Sequence, residues 1–280
     1  MFRKMNLSKY AVSIFLTVFM AACAGGINLF SDADDVQLGM EVDQQIRQQS
    51  QEYPIYNRNP AVKEYINNRI FQPLLSSAAI EKRSIYPYEL ELIDRDDVLN
   101  AFALPGGKIY LYTGLIKYLD SEAALAGILG HEIAHAERRH ATKRMTAYYG
   151  VSMLLGIVLG QNPGQIVEIA ANLFVGIGFL ANSRSHEDES DRYSVDYMQS
   201  TIFYPGGVKF FFEKLRDDGK IDSGGGGIAT FLSTHPDPIA RIASTNQRLT
   251  EKGYPVYSWF QDEIGFYKAE YRANIIDQLR

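Results

Sequence analysis

The stretch SEAALAGILGHEIAHAERRHATKRM, residues Ser121–Met145, decides how this chain is read. It holds almost no helix breakers, and apolar Leu125, Ile128, Leu129, Ile133 and Ala134 surround its polar centre. The expectation is one buried helix over 121–145. At about 100° per residue, His131 and His135 fall roughly 40° apart on one face, a turn above each other. Two imidazoles so placed can grip a single divalent ion. Glu132 follows the first of them, where its carboxylate can take a proton from a water on that ion. A solvated face rich in Glu, Arg and His would produce similar letters. The apolar flanks, and the use of two of only five histidines, favour the metal.

His131-Glu132-Ile133-Ala134-His135 is the H-E-x-x-H pattern of zinc peptidases. Catalytic zinc usually has three protein ligands and one open position for water, so a third ligand is expected. The version with a third histidine on the same segment would need glycine at position 138 and histidine at 141. The chain has Arg138 and Ala141 there, and His140 lies about 140° around a continuous helix from His135. A carboxylate from a later helix is available in Ser183-Arg184-Ser185-His186-Glu187-Asp188-Glu189-Ser190-Asp191. Glu187 and Asp191 are one turn apart. Glu187 can bind the ion while Asp191 accepts the second ring N–H of a ligand histidine and so orients it. His186 is the alternative to Glu187, but the Glu187/Asp191 pair supplies both functions at once. Asp188 and Glu189 read as surface charges, Glu189 being about 200° from Glu187 on the helix.

Further motifs precede and follow this pair: Phe102-Ala103-Leu104-Pro105-Gly106-Gly107, then Tyr110-Leu111-Tyr112-Thr113-Gly114-Leu115, and later Ser233-Thr234-His235-Pro236 with Pro238 and Arg241. In this order they resemble the HtpX/CAAX-prenyl-endopeptidase family of zinc metallopeptidases, over roughly residues 33–250 and with most likeness to its soluble periplasmic members. The resemblance implies a zincin-like fold with one Zn²⁺ per chain, held by His131, His135 and Glu187, with Glu132 as general base. It also implies that Asn100-Ala101-Phe102-Ala103 is an edge strand to which an extended peptide adds by main-chain hydrogen bonds. Phe102 and Leu104 fit a plain sheet core as well. His235 and Arg241 are candidate donors to the oxyanion of the tetrahedral intermediate. Similarity to latent periplasmic members gives His235 a second role, capping zinc's fourth position, with Gly224–Gly227 as a flexible hinge.

The N-terminus supplies an address. Arg3, Lys4 and Lys9 precede apolar Ala11–Ala22, and Met20-Ala21-Ala22 places small residues before Cys23, the chain's one cysteine. This reads as a signal peptide over 1–22 and a lipobox, with Cys23 acylated and the protein anchored in the periplasm. Ala24, in place of an aspartate, points to the outer membrane. Val151–Gly160 and Ile166–Leu180 are shorter than the ~20 residues of a membrane span and read as two helices over the core or the active site. The net charge of −5 argues against nucleic acid, which would call for a basic stripe. With 46% hydrophobic and 22% charged residues the composition is that of a globular protein.

The expected class is α+β and mainly helical, with a small antiparallel sheet ahead of packed helices. Helices are expected over 36–51, 61–78 (broken or kinked at Pro73), 121–145, 149–160, 164–181, 184–200, 206–217 and 237–251. Strands are expected over 88–92, 101–104 and 108–112, the last two forming a hairpin about Gly106-Gly107. Residues 23–252 would form the peptidase domain, and aromatic 253–280 would pack on it. The function expected is cleavage of unfolded or misassembled envelope proteins. The alternative is a metal-stabilised, chaperone-like module that holds outer-membrane proteins without cutting them.

Overall fold

The computed structural model describes residues 28–147, 182–223 and 228–279. The signal segment 1–22, Cys23, the apolar stretches 151–160 and 166–180, and the glycines 224–227 lie outside the described residues. No helix among the described residues is long and apolar enough to cross a membrane.

Helix α1 (Asp32–Gln48) opens on a capping box, Ser31 and Asp34 each accepting from the other's backbone N–H. Helix α2 (Pro60–Ile66) starts with Pro60 at its first turn and Asn59 as cap. The break expected at Pro73 takes the form of a π turn, Asn67–Phe71, followed by α3 (Gln72–Leu75). A wider turn absorbs the missing N–H and the ring clash without ending the helical path.

Strands β1 (Glu89–Ile93), β2 (Ala101–Ala103) and β3 (Lys108–Tyr112) form one sheet in the order β1-β3-β2. The hairpin β2–β3 is antiparallel as expected, its turn made by Gly106 and Gly107 at φ 78° and 97°. The sheet as a whole is mixed rather than antiparallel, because β1 pairs with β3 in parallel. A parallel pair needs a crossover of about a dozen residues or more, and the chain from Ile93 to Lys108 supplies it with β2 inside it.

After α4 (Thr113–Tyr118) comes the motif helix α5 (Glu122–Glu137), capped by Ser121. Every residue of α5 is buried, as a helix that is apolar almost all round requires. At Gly127 a Cβ would stand 2.1 Å from the backbone N of Val208, so only glycine admits the neighbouring chain. The expected continuous helix ends at Glu137: Arg138 and Arg139 form a turn, with Arg139 at φ 62°, and helix resumes at 140–147.

The remaining described elements are helical. Helix α6 (Arg184–Met198) packs along α5, its Ser194 hydroxyl donating to the Gly127 carbonyl at 2.7 Å. Helices α7 (Val208–Asp217), α8 (Ala229–Thr234), α9 (Pro238–Glu251) and α10 (Lys268–Asn274) complete the order, with two further short turns at Lys220–Ser223 and Ile276–Gln278. Phe266, Tyr271, Ile275 and Leu279 enter the main apolar core beside residues of α5, whereas Phe260 and Ile264 face outward.

Candidate metal centre

All five histidines of the chain meet around α5 and α6. His131 and His135 point their Nε2 atoms at each other at 2.9 Å. Glu187 arrives from α6, with Oε1 3.2 Å from His135 Nε2 and Oε2 3.4 Å from His131 Nε2. His235, just past α8, brings Nδ1 to 3.0 Å from Glu187 Oε2 and 3.4 Å from His131 Nε2. One ligand atom from each of these four buried residues lies within 4.8 Å of the others. Helical geometry makes this meeting: α5 stacks the two imidazoles, and Ser183 caps α6 so that its first turn presents Glu187.

His131 and Glu187 each have an orienting contact. Asp191 Oδ1 accepts from His131 Nδ1 at 2.8 Å, leaving the lone pair of Nε2 aimed into the cluster. Arg241 holds Asp191 with two hydrogen bonds, Nε to Oδ2 at 2.7 Å and Nη2 to Oδ1 at 2.6 Å. Its Nη1 lies 2.6 Å from Glu187 Oε2. These contacts give Arg241 a role in holding the two carboxylates, beside the oxyanion-donor role its sequence position offers. The guanidinium is buried against two carboxylates and the Phe212 ring, and Arg241 is not among the residues lining the cleft. His186 is outside the donor cluster and stacks on His140.

The donor set suits zinc: imidazole nitrogens and a carboxylate oxygen, with lone pairs directed at one point that a cation would reconcile. Glu132 Oε1 is a buried oxygen without a hydrogen-bond partner among the described residues, 3.8 Å from His235 Nε2. Burial pushes the Glu132 carboxyl above the usual range, against the pull of His235 and His131. Burial would raise Glu187 too, but His235, Arg241 and His131 outweigh it and hold that carboxyl well below the ordinary value. Two neighbouring glutamates are thus pushed apart, one towards a proton acceptor and one towards a permanent anion.

A cleft beside the cluster is lined by Asn100, Ala101, Phe102 and Ala103 together with Glu132, His135 and His235. β2 is the terminal strand of the sheet. Tyr112 N–H donates to the Asn100 carbonyl and Leu104 N–H to the Lys108 carbonyl, so alternation turns the main-chain groups of Ala101 and Ala103 away from β3. Arg144 and Asn182, not singled out from the sequence, also line the cleft, as does Thr234 of the motif that carries His235. Glu189 is another departure: it is no solvated charge, because its carboxylate accepts from Arg138 Nε at 2.9 Å and lies 3.0 Å from His140 Nε2.

A buried H-E-x-x-H helix closed by a glutamate and an aspartate from a later helix defines a gluzincin-type metallopeptidase. Residues 60–249 match the model of Peptidase family M48, and the chain belongs to that family. It is 30% identical over 263 residues to the beta-barrel assembly-enhancing protease of Escherichia coli (strain K12), covering 91% of this chain and 50% of that protein. The Yersinia pestis protein of the same name is 28% identical over 210 residues, 71% of this chain and 42% of its own length. Similarity extends to the mitochondrial metalloendopeptidase OMA1 of Schizosaccharomyces pombe, 31% identical over 176 residues, or 62% of this chain and 50% of that protein. The chain spans about half the length of the curated relatives it matches. At the level of the family, the resemblance drawn from the motifs is borne out.

Proposed function

We propose that this chain is a zinc-dependent endopeptidase of the bacterial cell envelope, hydrolysing peptide bonds in unfolded or misassembled envelope proteins. The observation that carries the reading is Glu132: a buried carboxylate with a free oxygen, set beside four converging donor atoms in a cleft lined by a strand. A pure scaffold has no need of such a base.

In this reading His131, His135 and Glu187 hold the ion, which when bound supplies a Lewis acid and lowers the pKa of a water towards about 7. Glu132 takes the water's proton and passes it to the leaving amine. Asp191 and Arg241 keep His131 and Glu187 in place. Asn100, Ala101, Phe102 and Ala103 align an extended substrate through main-chain hydrogen bonds, which tolerates many sequences. His235 caps the site in a latent state and withdraws to admit substrate. Residues 1–22 act as a leader, Cys23 carries the lipid anchor to the outer membrane, 23–252 form the peptidase domain and 253–280 pack on it.

The test is cleavage of a chemically unfolded protein by purified protein, with and without chelator, in a His235→Ala background. Cleavage should vanish with chelator and in Glu132→Gln, while Glu132→Gln retains its zinc. Equal cleavage with Glu132 and with Gln at that position would end the enzyme reading.

A further inference from the structure

His131 and His135 are supported in different ways. Asp191 accepts directly from His131 Nδ1. Among the described residues no carboxylate touches Nδ1 of His135; the atom facing it, at 2.8 Å, is Nδ1 of another imidazole, His140. Two facing ring nitrogens at that distance, outside the donor cluster and so with no cation to share, require one to donate and the other to accept. The far side of His140 decides which. Its Nε2 lies 3.0 Å from Glu189 Oε2, and a carboxylate only accepts, so His140 carries its proton on Nε2. Nδ1 of His140 is then the acceptor, and the Ser190 hydroxyl, 3.3 Å away, is placed to donate to the same nitrogen. His135 must therefore carry its proton on Nδ1, which frees the lone pair of Nε2 to face His131, Glu187 and His235.

We propose that His140 and Glu189 are positioning residues: a Glu189–His140–His135 relay that fixes the tautomer and ring plane of the second motif histidine for metal binding. The inference rests on the metal-centre reading above.

Local structure supports the relay. On an unbroken helix His140 would stand about 140° away from His135. The turn at Arg138–Arg139, with Arg139 left-handed, folds the chain back so that the two rings meet at 4.9 Å between centroids. A left-handed non-glycine residue is held at a cost, and here Arg139 Nε donates to Asp35 at 2.6 Å from a different helix. Arg138 Nε fixes Glu189, and the His186 ring stacks on His140 at 4.2 Å and 10°, setting its plane. A carboxylate–histidine pair raises ligand basicity, and losing such partners typically costs about 10–100-fold in metal affinity.

The experiment uses the full chain with zinc. In ¹⁵N-imidazole long-range correlation spectra of the zinc-loaded Glu132→Gln protein, His140 should show its proton on Nε2 and His135 its proton on Nδ1. A proton on His140 Nδ1 would overturn the relay. Chelator competition should show about 10–100-fold weaker zinc binding in Glu189→Ala, with the metal-free melting temperature close to that of the parent. Asp188→Ala, one residue away and exposed, should bind zinc like the parent. Parent-like affinity in Glu189→Ala would also overturn the relay while leaving the metal centre standing. Failure of the parent itself to bind zinc would remove both.

Discussion

Two buried charge networks of this protein can be set side by side. On the sheet, Asp43 accepts from Arg47, Lys108 and Tyr110, and Glu91 accepts from Lys63 and Arg47. Each carboxylate there meets a fixed cation, and the network is closed. At the metal centre Arg241 answers Glu187 and Asp191, and imidazoles stand beside all three of Glu132, Glu187 and Asp191. Imidazoles offer lone pairs, and one oxygen of Glu132 is left over. The closed network holds a fold together, whereas the open one gathers donors of the kind that hold a metal ion. Burial of charge alone does not distinguish structure from site; what distinguishes them is whether the charges are already answered.

The sharpest way to break this contrast is to neutralise the left-over group. Glu132→Gln should lower cleavage by about 10²–10⁴-fold, the usual contribution of a general base, with zinc content unchanged by metal analysis. If cleavage persists, the open network is not a catalytic one. Next in size is Asp191→Asn, which should weaken zinc binding by about 10–100-fold in chelator competition. Asparagine can still accept at one oxygen but cannot answer both Arg241 and His131 as an anion. Removal of the metal from the parent should also lower the melting temperature, since bound zinc stabilises only the folded state.

Much of the open network is legible from the chain. Helical spacing alone pairs His131 with His135 and Glu187 with Asp191, and the burial of α5 follows from its apolar flanks. The part hidden from the sequence depends on two local events. Arg139 adopts a left-handed conformation that ends α5, and nothing in Ala136-Glu137-Arg138-Arg139 announces it, because the residue that stabilises it, Asp35, is about a hundred positions away. Helical geometry puts Glu189 about 200° around α6 from Glu187, but that angle does not say that Arg138 and His140 wait on that side. Arg241 is similar: its distance from the motif hides its contacts with Asp191 and Glu187, which only the fold brings together. In the sheet, the alternation of Tyr88–Leu92 marks a strand, but its parallel pairing depends on where β2 and β3 come to lie.

The closed network gives the smaller predictions. Asp43→Asn should cost roughly 2 kcal/mol of stability, because hydrogen bonds to a charged acceptor are lost, and it should leave zinc binding untouched. That pairing separates the networks: a structural carboxylate moves the melting curve and not the metal. Its pH dependence sharpens the point. Burial would raise the Asp43 carboxyl, but Tyr110, Lys108 and Arg47 outweigh it and hold it below the ordinary value. The folded state therefore binds fewer protons than the unfolded one around pH 4, and stability from Asp43 is fully present above the unfolded pKa of about 3.9. It is lost as the pH falls through the folded value. The gap in melting temperature between the parent and Asp43→Asn should accordingly be widest at neutral pH and narrow towards pH 3. A gap that stays constant across that range would mean Asp43 acts there by shape and not by charge, and the sheet network would lose its claim to be held by answered ions.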